Sequence, residues 1–341
     1  MQTLLQELSE AIGSISGILN SFFLVLCVLF GVIILVKTGD LLSDSSKDLA
    51  TNLGIPPILV GLTVVSIATS APELFTSISA IKSNVTGLVL GNIIGSNIAN
   101  IGLILGVSLL VRPIVITEKI PLLQRVTLLI VSAIFSGYIY FSPNHSISWK
   151  FGTILLIFIF LYTIYICYEA IRGRYSEKKD DSHREDQSDT AYNPIISIIL
   201  IILSAIGLWL GSETLVFGAK TIALKFSIPE ELIGFSVVAV GTSLPELAAS
   251  ISLIKNSQTS MLFGNIIGSN LFNMALVGGV SGILAPIKSD VQNPWIDHIS
   301  MLFLTLFFFI ICNQKKLGKK HGLGLLCAYG VLSFYTWFIN A

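Results

Sequence analysis

The chain alternates long apolar stretches with short polar ones, and ten of the apolar stretches are long enough to cross a bilayer as helices. They lie at about 18–42, 56–81, 87–111, 122–142, 149–170, 193–218, 229–254, 260–285, 296–313 and 322–340. Five precede and five follow one strongly hydrophilic interval at 176–190. The pattern predicts an all-α integral membrane protein of ten transmembrane helices. It divides the chain into a first repeat at 1–172, a linker at 173–192 and a second repeat at 193–341.

The two halves contain nearly the same sequence. Residues 55–106 and 228–279 align without gaps and share 27 identities over 52 positions. Both copies have a glutamate at the same position, Glu73 and Glu246, with no other charged residue within eight positions on either side. A charged side chain near the bilayer centre costs about 2.5–3.5 kcal/mol on insertion scales, so its repetition indicates a function. A duplicated segment with Gly and Pro interruptions and an intramembrane acid is typical of a transporter's ion site.

Composition and charge agree with a membrane location and suggest an orientation. The chain is 53% hydrophobic and 12% charged, whereas soluble domains are about 25% charged. With the N-terminus outside, fifteen Lys and Arg residues fall on the inner side and five on the outer side. Because five helices is an odd number, the second half would start from the opposite side and the repeats would be inverted. We expect both termini outside a cell (inner) membrane and the central linker in the cytoplasm.

The first copy of the repeat places three oxygen-bearing side chains together. Thr69, Ser70 and Glu73 stand at i, i+1 and i+4 and therefore share one helical face. Pro72 is expected to loosen the helix there, and freed carbonyls are tolerated in lipid only where they line a cavity or meet an ion. The second copy repeats the motif with Thr242, Ser243, Pro245 and Glu246.

The following helix adds further polar positions. In GNIIGSNIAN, Asn92, Ser96 and Asn100 recur every four residues on one face, and Gly91 and Gly95 are spaced for close helix contact. We expect these glycines, and their counterparts, mainly to pack helices. The counterparts in the second half are Gly264, Asn265, Gly268, Ser269 and Asn273.

The combined set of donors is all oxygen, which suits Ca²⁺ and Na⁺. It contains no histidine or cysteine, which argues against zinc or copper, and no cofactor is expected. Two glutamates together neutralise one divalent ion. Ser77 and Ser250 are expected only to hydrogen-bond their own helices. Asp40 and Glu213 also correspond between the halves, and a structural or gating role is expected for them.

SAPEL and TSLPEL, each followed by GNIIGSN, resemble the two alpha-repeats of sodium/calcium exchangers in the calcium/cation antiporter superfamily. The resemblance implies a ten-helix antiporter with four ion sites between helices 2, 3, 7 and 8, across which helices 1 and 6 slide. The implied ligands are Thr69, Ser70, Glu73, Ser96, Asn100, Thr242, Ser243, Glu246, Ser269 and Asn273, with backbone carbonyls at Ser66 and Ala239. Asn273 departs from the aspartate that many sodium/calcium exchangers have there. Its amide can bind Ca²⁺ or Na⁺, but it cannot bind a proton.

The sequence therefore favours an antiporter that exchanges Na⁺ for Ca²⁺, with H⁺-coupled or K⁺-dependent exchange as alternatives within the same fold. A hydrolase using Ser70 or Ser243 is disfavoured because the four histidines fall in loops or at helix ends, away from the midplane. A channel is also disfavoured, since interrupted helices in inverted halves suit alternating access. The expected partners are the two ions and the lipid bilayer, with no nucleic acid.

The orientation can be tested by labelling. In a protein whose four native cysteines are replaced, Ser188→Cys should resist a membrane-impermeant thiol reagent added outside intact cells, because the basic asymmetry places the linker inside. Asn144→Cys, in a loop expected outside, should react. Labelling of the cysteine at 188 from outside would contradict the orientation.

Overall fold

The computed structural model describes residue 7 and residues 17–83, 86–116, 120–142, 145–180, 193–226, 239–288 and 295–340, and these form an almost wholly α-helical protein. The helices of the first half are α1 (Gly17–Leu53), α2 (Pro57–Val60, Gly61–Val65 and Ser66–Lys82), α3 (Gly87–Ala99, Asn100–Ile104 and Leu105–Val111), α4 (Leu122–Phe141) and α5 (Trp149–Asp180). Those of the second half are α6 (Pro194–Lys225), α7 (Ala239–Thr242), α8 (Leu244–Lys255), α9 (Thr259–Phe272, Asn273–Val277 and Gly278–Leu284), α10 (Trp295–Ile311) and α11 (Lys319–Asn340). Four two-residue strands complete the fold: β1 (Ile114–Val115), β2 (Ser146–Ile147), β3 (Ile287–Lys288) and β4 (Lys316–Leu317).

Within the described ranges, seven helices are long and apolar enough to cross a membrane, and the shorter apolar helix α10 accompanies them. The chain is thus an integral membrane protein. Part of the predicted run at 229–254 falls at 227–238, outside the described residues, as do residues 181–192 of the predicted linker. The count of ten spanning helices and the inversion of the halves stay predictions.

Burial separates the central helices from the peripheral ones. In the most apolar stretches of α2, α3 and α9, the buried share of residues is 67%, 78% and 83%, respectively. In those of α1, α5 and α6 it is 28%, 22% and 33%. The central helices are therefore surrounded by protein, whereas the peripheral ones present most of their apolar side chains to the surroundings. This surface is what lipid requires, since lipid does not penalise exposed Leu, Ile or Phe.

Helix α1 is longer than its apolar run predicts. It continues past residue 42 to Leu53 through a polar stretch in which Leu42, Leu49 and Ala50 are buried, while Asp44 and Lys47 are exposed. The apolar positions recur at helical spacing, so this end is an amphipathic helix that packs one face on the protein.

Within the described ranges, three helices contain a π turn, in which a backbone N–H bonds a carbonyl five residues back. The turns span Gly61–Val65 in α2, Asn100–Ile104 in α3 and Asn273–Val277 in α9. Such turns often occur at functional sites because they rotate the side chains that follow them. Two of the three begin at predicted ligand asparagines at equivalent places in the halves.

The predicted interruption at the Pro motif appears in one half only. In the second half a turn at Ser243 separates α7 from α8, whose first turn contains Pro245. In the first half the helix continues through Pro72, and the irregularity lies upstream at Gly61–Val65. Proline removes one helix hydrogen bond but does not end a helix whose neighbours compensate for it.

Contacts between the halves come in equivalent pairs. α11 packs on α3 and α5 packs on α9, and in both places two glycines allow the backbones to touch. A Cβ on Gly322 would lie 2.7 Å from the Gly106 carbonyl, and one on Gly152 would lie 2.7 Å from the Gly279 carbonyl. The strands behave in the same way, since β1 pairs antiparallel with β4 and β2 with β3. Each of these contacts joins one half to the other.

The GxxxG glycines of α9 pack closely. Gly264 and Gly268 are buried against α2, where a Cβ on either would collide with Ile58 or Ser66, as their predicted packing role requires. The packing prediction is therefore confirmed in α9. The equivalent partners of Gly91 and Gly95 would include residues 231 and 235, which lie outside the described ranges, so the packing of these two glycines stays a prediction.

The close contact of Gly264 predicts the effect of a substitution. Gly264→Ala should destabilise the protein by about 1–3 kcal/mol, because the new methyl group must displace the α2 backbone. Gly330→Ala is the control, at an exposed position of α11 with no contact for a new methyl group among the described residues. It should be neutral or slightly stabilising, since alanine favours helix by up to about 1 kcal/mol. Thermal unfolding of both purified variants in detergent provides the comparison, and equal stability of the two would contradict the packing of Gly264.

Candidate cation-binding site

The two repeated glutamates lie in the protein interior. Glu73 on α2 and Glu246 in the first turn of α8 are each 1% exposed. Their carboxylates are close enough to repel one another when both are ionised. Neither forms an ion pair with Lys or Arg within the part of the chain that the structure describes. Two buried like charges without a basic partner are stable only with a compensating cation or a proton.

Hydrogen bonds across the halves hold the acidic motifs together. The Ser70 hydroxyl on α2 donates to Glu246 Oε1 at 3.3 Å. Thr69 Oγ1 and Ser269 Oγ lie 3.4 Å apart, one on α2 and the other on α9. The motifs of the two repeats therefore form one site.

Most of the predicted ligands are buried at this site. Side-chain exposure is 3% or less for Ser66, Thr69, Ser70, Glu73, Ser96, Asn100, Ser243, Glu246, Ser269 and Asn273. Thr242 is half-buried. The Ser66 carbonyl lies 3.4 Å from the Thr69 hydroxyl, which donates to it. Ala239 begins α7 directly after residues 227–238, which lie outside the described ranges, and no ligand contact of its carbonyl is described.

Several buried oxygens at the site have no hydrogen-bond partner among the described residues. They are Glu73 Oε1 and Oε2, Ser96 Oγ, Asn100 Oδ1, Ser243 Oγ, Glu246 Oε2 and Asn273 Oδ1. An unsatisfied buried polar group costs about 1–3 kcal/mol, so a folded protein does not usually gather seven of them. Their chemistry is that of ligands for hard cations such as Ca²⁺ and Na⁺, which take carboxylate, hydroxyl and amide oxygens.

Two asparagines outside the predicted ligand set also contact it. Asn92 Oδ1 accepts a hydrogen bond from Thr242 at 3.3 Å, and Asn265 Oδ1 accepts one from Thr69 at 3.4 Å. Both lie four residues before a predicted ligand serine, at equivalent positions of the repeats. That spacing places them on the ligand face, which is the signal in the sequence that could have identified them.

The sequence predicts that Ser77 and Ser250 hydrogen-bond only their own helices. Among the described residues their hydroxyls bond asparagines of the following helix, so this prediction is wrong. Ser77 Oγ accepts from Asn92 Nδ2, and Ser250 Oγ accepts from Asn265 Nδ2, both at 3.4 Å. Each serine therefore links its helix to the next.

Asp40 connects the peripheral helix α1 to the central group. Ser252 on α8 donates to Asp40 Oδ1 at 2.6 Å, and Asn256 donates to Asp44 Oδ1 at 3.1 Å. The carboxylate of Asp40 therefore lies at a helix contact and outside the cluster of unpaired oxygens. A structural or gating role for it stays a prediction.

The buried helices, the paired glutamates and the oxygen-rich interior define a membrane cation transporter. The chain belongs to the sodium/calcium exchanger protein family, whose model matches residues 23–168 and 196–338. It is similar to the sodium/calcium exchanger MaX1 of Methanosarcina acetivorans, with 30% identity over 89% of this chain and 95% of the relative. It is also similar to the putative antiporter CaxA of Alkalimonas amylolytica, with 33% identity over 89% of this chain and 95% of that protein.

A solved structure has the same fold. The sodium-calcium exchanger NCX_Mj, soaked with Na⁺ and Sr²⁺, superposes with a TM-score of 0.76 and 28% identity, covering 91% of this chain and 98% of that one. The family is one of exchangers, so the expectation of a transporter agrees with these comparisons.

Binding at the site can be measured without transport. Ca²⁺ should raise the unfolding temperature of the purified protein, since a ligand at 100 times its Kd adds about 2.7 kcal/mol to the stability of the folded state. Glu73→Gln should remove most of this effect because it deletes half of the compensating charge. Glu169→Gln, the same change at an exposed acid paired with Arg172, is the control and should respond as the parent does. An undiminished response of Glu73→Gln would place the binding elsewhere.

Proposed function

We propose that this protein is a secondary antiporter that exchanges Na⁺ for Ca²⁺ by alternating access, moving Ca²⁺ outward. The observation that carries the proposal is the pair Glu73 and Glu246, buried without a base among the described residues and surrounded by unpaired oxygens. One divalent ion neutralises both carboxylates, and so do Na⁺ ions in greater number. Exchange follows if the protein cannot switch access while the site is empty, because two buried carboxylates without a cation have a high free energy.

The ligands are divided between the repeats. The first half contributes Glu73, Ser96 and Asn100, and the second half contributes Glu246, Ser243 and Asn273. These side chains have the unpaired oxygens. Thr69, Ser70, Thr242 and Ser269 add hydroxyl oxygens, and the carbonyls of Ser66 and Ala239 complete the proposed set. An ion at the centre then draws both halves together.

We further propose ten spanning helices in two inverted repeats, with both termini outside the cell membrane. The equivalent contacts of α11 on α3 and α5 on α9 support this arrangement, as does the exchange of strand partners. A twofold axis parallel to the membrane produces such pairs of contacts when each half is inserted in the opposite sense.

Coupling to H⁺ is the second candidate. Asn273 and Asn100 are amides, so Glu73 and Glu246 are the only proton acceptors among the proposed side-chain ligands. A proton would therefore compete with Ca²⁺ for the same two carboxylates.

Isotope uptake separates these possibilities. Vesicles containing the protein and loaded with Na⁺ should accumulate ⁴⁵Ca²⁺, whereas vesicles loaded with K⁺ or acid should accumulate little. Glu246→Gln should abolish uptake, because one carboxylate cannot neutralise a divalent ion in a medium of low dielectric constant. Glu169→Gln should retain it. Uptake driven by acid loading would favour H⁺ coupling, and full activity of Glu246→Gln would refute the paired-glutamate site.

A further inference from the structure

A buried asparagine on α9 connects four hydroxyl groups around the site. Asn265 Nδ2 donates to Ser250 Oγ on α8 at 3.4 Å. Asn265 Oδ1 accepts from Thr69 and Ser66 on α2 and from Ser269 on its own helix, each at 3.4 Å. Ser250 is fully buried and Asn265 is 1% exposed, so water does not replace these bonds easily.

The same arrangement occurs independently in the other half. Asn92 on α3 donates from Nδ2 to Ser77 Oγ on α2 at 3.4 Å. Its Oδ1 accepts from Thr242 at 3.3 Å. Each asparagine thus takes its anchor from a serine of its own half and bonds a threonine of the opposite half. A pattern repeated at equivalent positions is a property of the site and not an accident of one contact.

The direction of the amide determines where the hydroxyl protons point. An amide has a donor end and an acceptor end, and a hydroxyl has one proton and two lone pairs. Thr69 Oγ1 lies 3.4 Å from both Asn265 Oδ1 and the Ser66 carbonyl oxygen, so with the amide in this direction its one proton is shared between these two acceptors and its lone pairs stay free. If the amide were reversed, its NH₂ group would occupy a lone pair and turn the proton toward the site. A cation would then meet a proton in place of an oxygen lone pair.

Asn265 differs in this respect from the asparagines proposed as ligands. Both ends of its amide are engaged, whereas Asn273 has no hydrogen-bond partner at either Oδ1 or Nδ2 among the described residues. Asn265 is therefore suited to act through its neighbours, while Asn273 is free to meet an ion directly.

We propose that Asn92 with Ser77, and Asn265 with Ser250, are positioning pairs that turn the hydroxyl oxygens of Thr242, Thr69 and Ser269 toward the transported cation. The serine fixes the amide, and the amide fixes the hydroxyl protons. This inference rests on the proposed function, because it concerns the ligands of that exchange site. The serines touch no ion themselves, and they set the affinity of the site and not its charge.

Ser250→Ala is the direct test, since it removes the anchor with little change in volume. The Ca²⁺ concentration for half-maximal Na⁺-driven uptake should rise about 3- to 10-fold, the change that loss of one buried hydrogen bond brings, while the maximal rate stays near that of the parent. Ser250→Thr retains the hydroxyl and should recover most of the affinity. Ser204→Ala is the matched control, because the buried Ser204 hydroxyl bonds only the Leu200 carbonyl of its own helix at 2.7 Å.

Ion-induced stabilisation gives a second readout that a purely structural serine would not change. The unfolding temperature of Ser250→Ala without Ca²⁺ should stay near that of Ser204→Ala, and its increase on adding Ca²⁺ should be smaller. Ser77→Ala tests the other half in the same way, and it also serves if Ser250→Ala does not fold. Failure of both to fold, or loss of ion-free stability with unchanged affinity, would overturn the positioning role.

The two proposals fail in different ways. If the parent protein takes up no Ca²⁺ against a Na⁺ gradient, the proposed exchange is wrong. If the parent exchanges normally and both serine variants keep its Ca²⁺ affinity, the exchange stands and the positioning pairs are wrong.

Discussion

Two carboxylates buried together in the middle of a membrane protein form the constraint on which the rest of this structure depends. Glu73 and Glu246 repel one another, and no Lys or Arg in the described ranges pairs with them. Basic residues paired with both carboxylates would make the site permanently neutral and therefore unresponsive to ions. Without them, the protein needs surrounding oxygens that hold a cation but release it. The π turns at Asn100 and Asn273 and the break at Ser243 supply such groups, at the expense of regular helix.

Much of the fold could be predicted from the chain because lipid enforces a simple rule. A spanning segment must be long and apolar, so nine of the ten apolar runs coincide with described helices to within a few residues at most ends. A candidate site could be proposed from the same rule, since a charge in an apolar segment is costly and its repetition is visible without alignment to other proteins. A helix extends beyond its apolar run at the amphipathic end of α1. There the apolar side chains are buried against protein and not in lipid.

The contacts between the halves could not be predicted in the same way. Hydrophobicity does not tell which helix lies beside which, because lipid and protein are equally apolar partners. Ser77 therefore read as a serine satisfied by its own helix, although its partner is Asn92 on the next one. The contact of Gly264 with α2 was also hidden, since a GxxxG motif does not show which helix it packs on.

The exchange of strand partners has a consequence for the origin of such a chain. β1 finds its partner in β4 and β2 finds its partner in β3, so a polypeptide of half this length would leave its short strands unpaired. Two copies of that half, joined face to face, would satisfy them. An ancestor of this kind would have been a homodimer, and the later duplication and fusion of its gene would have freed the halves to diverge. Asp40 and Glu213, equivalent in position but different in length, are a visible mark of that divergence.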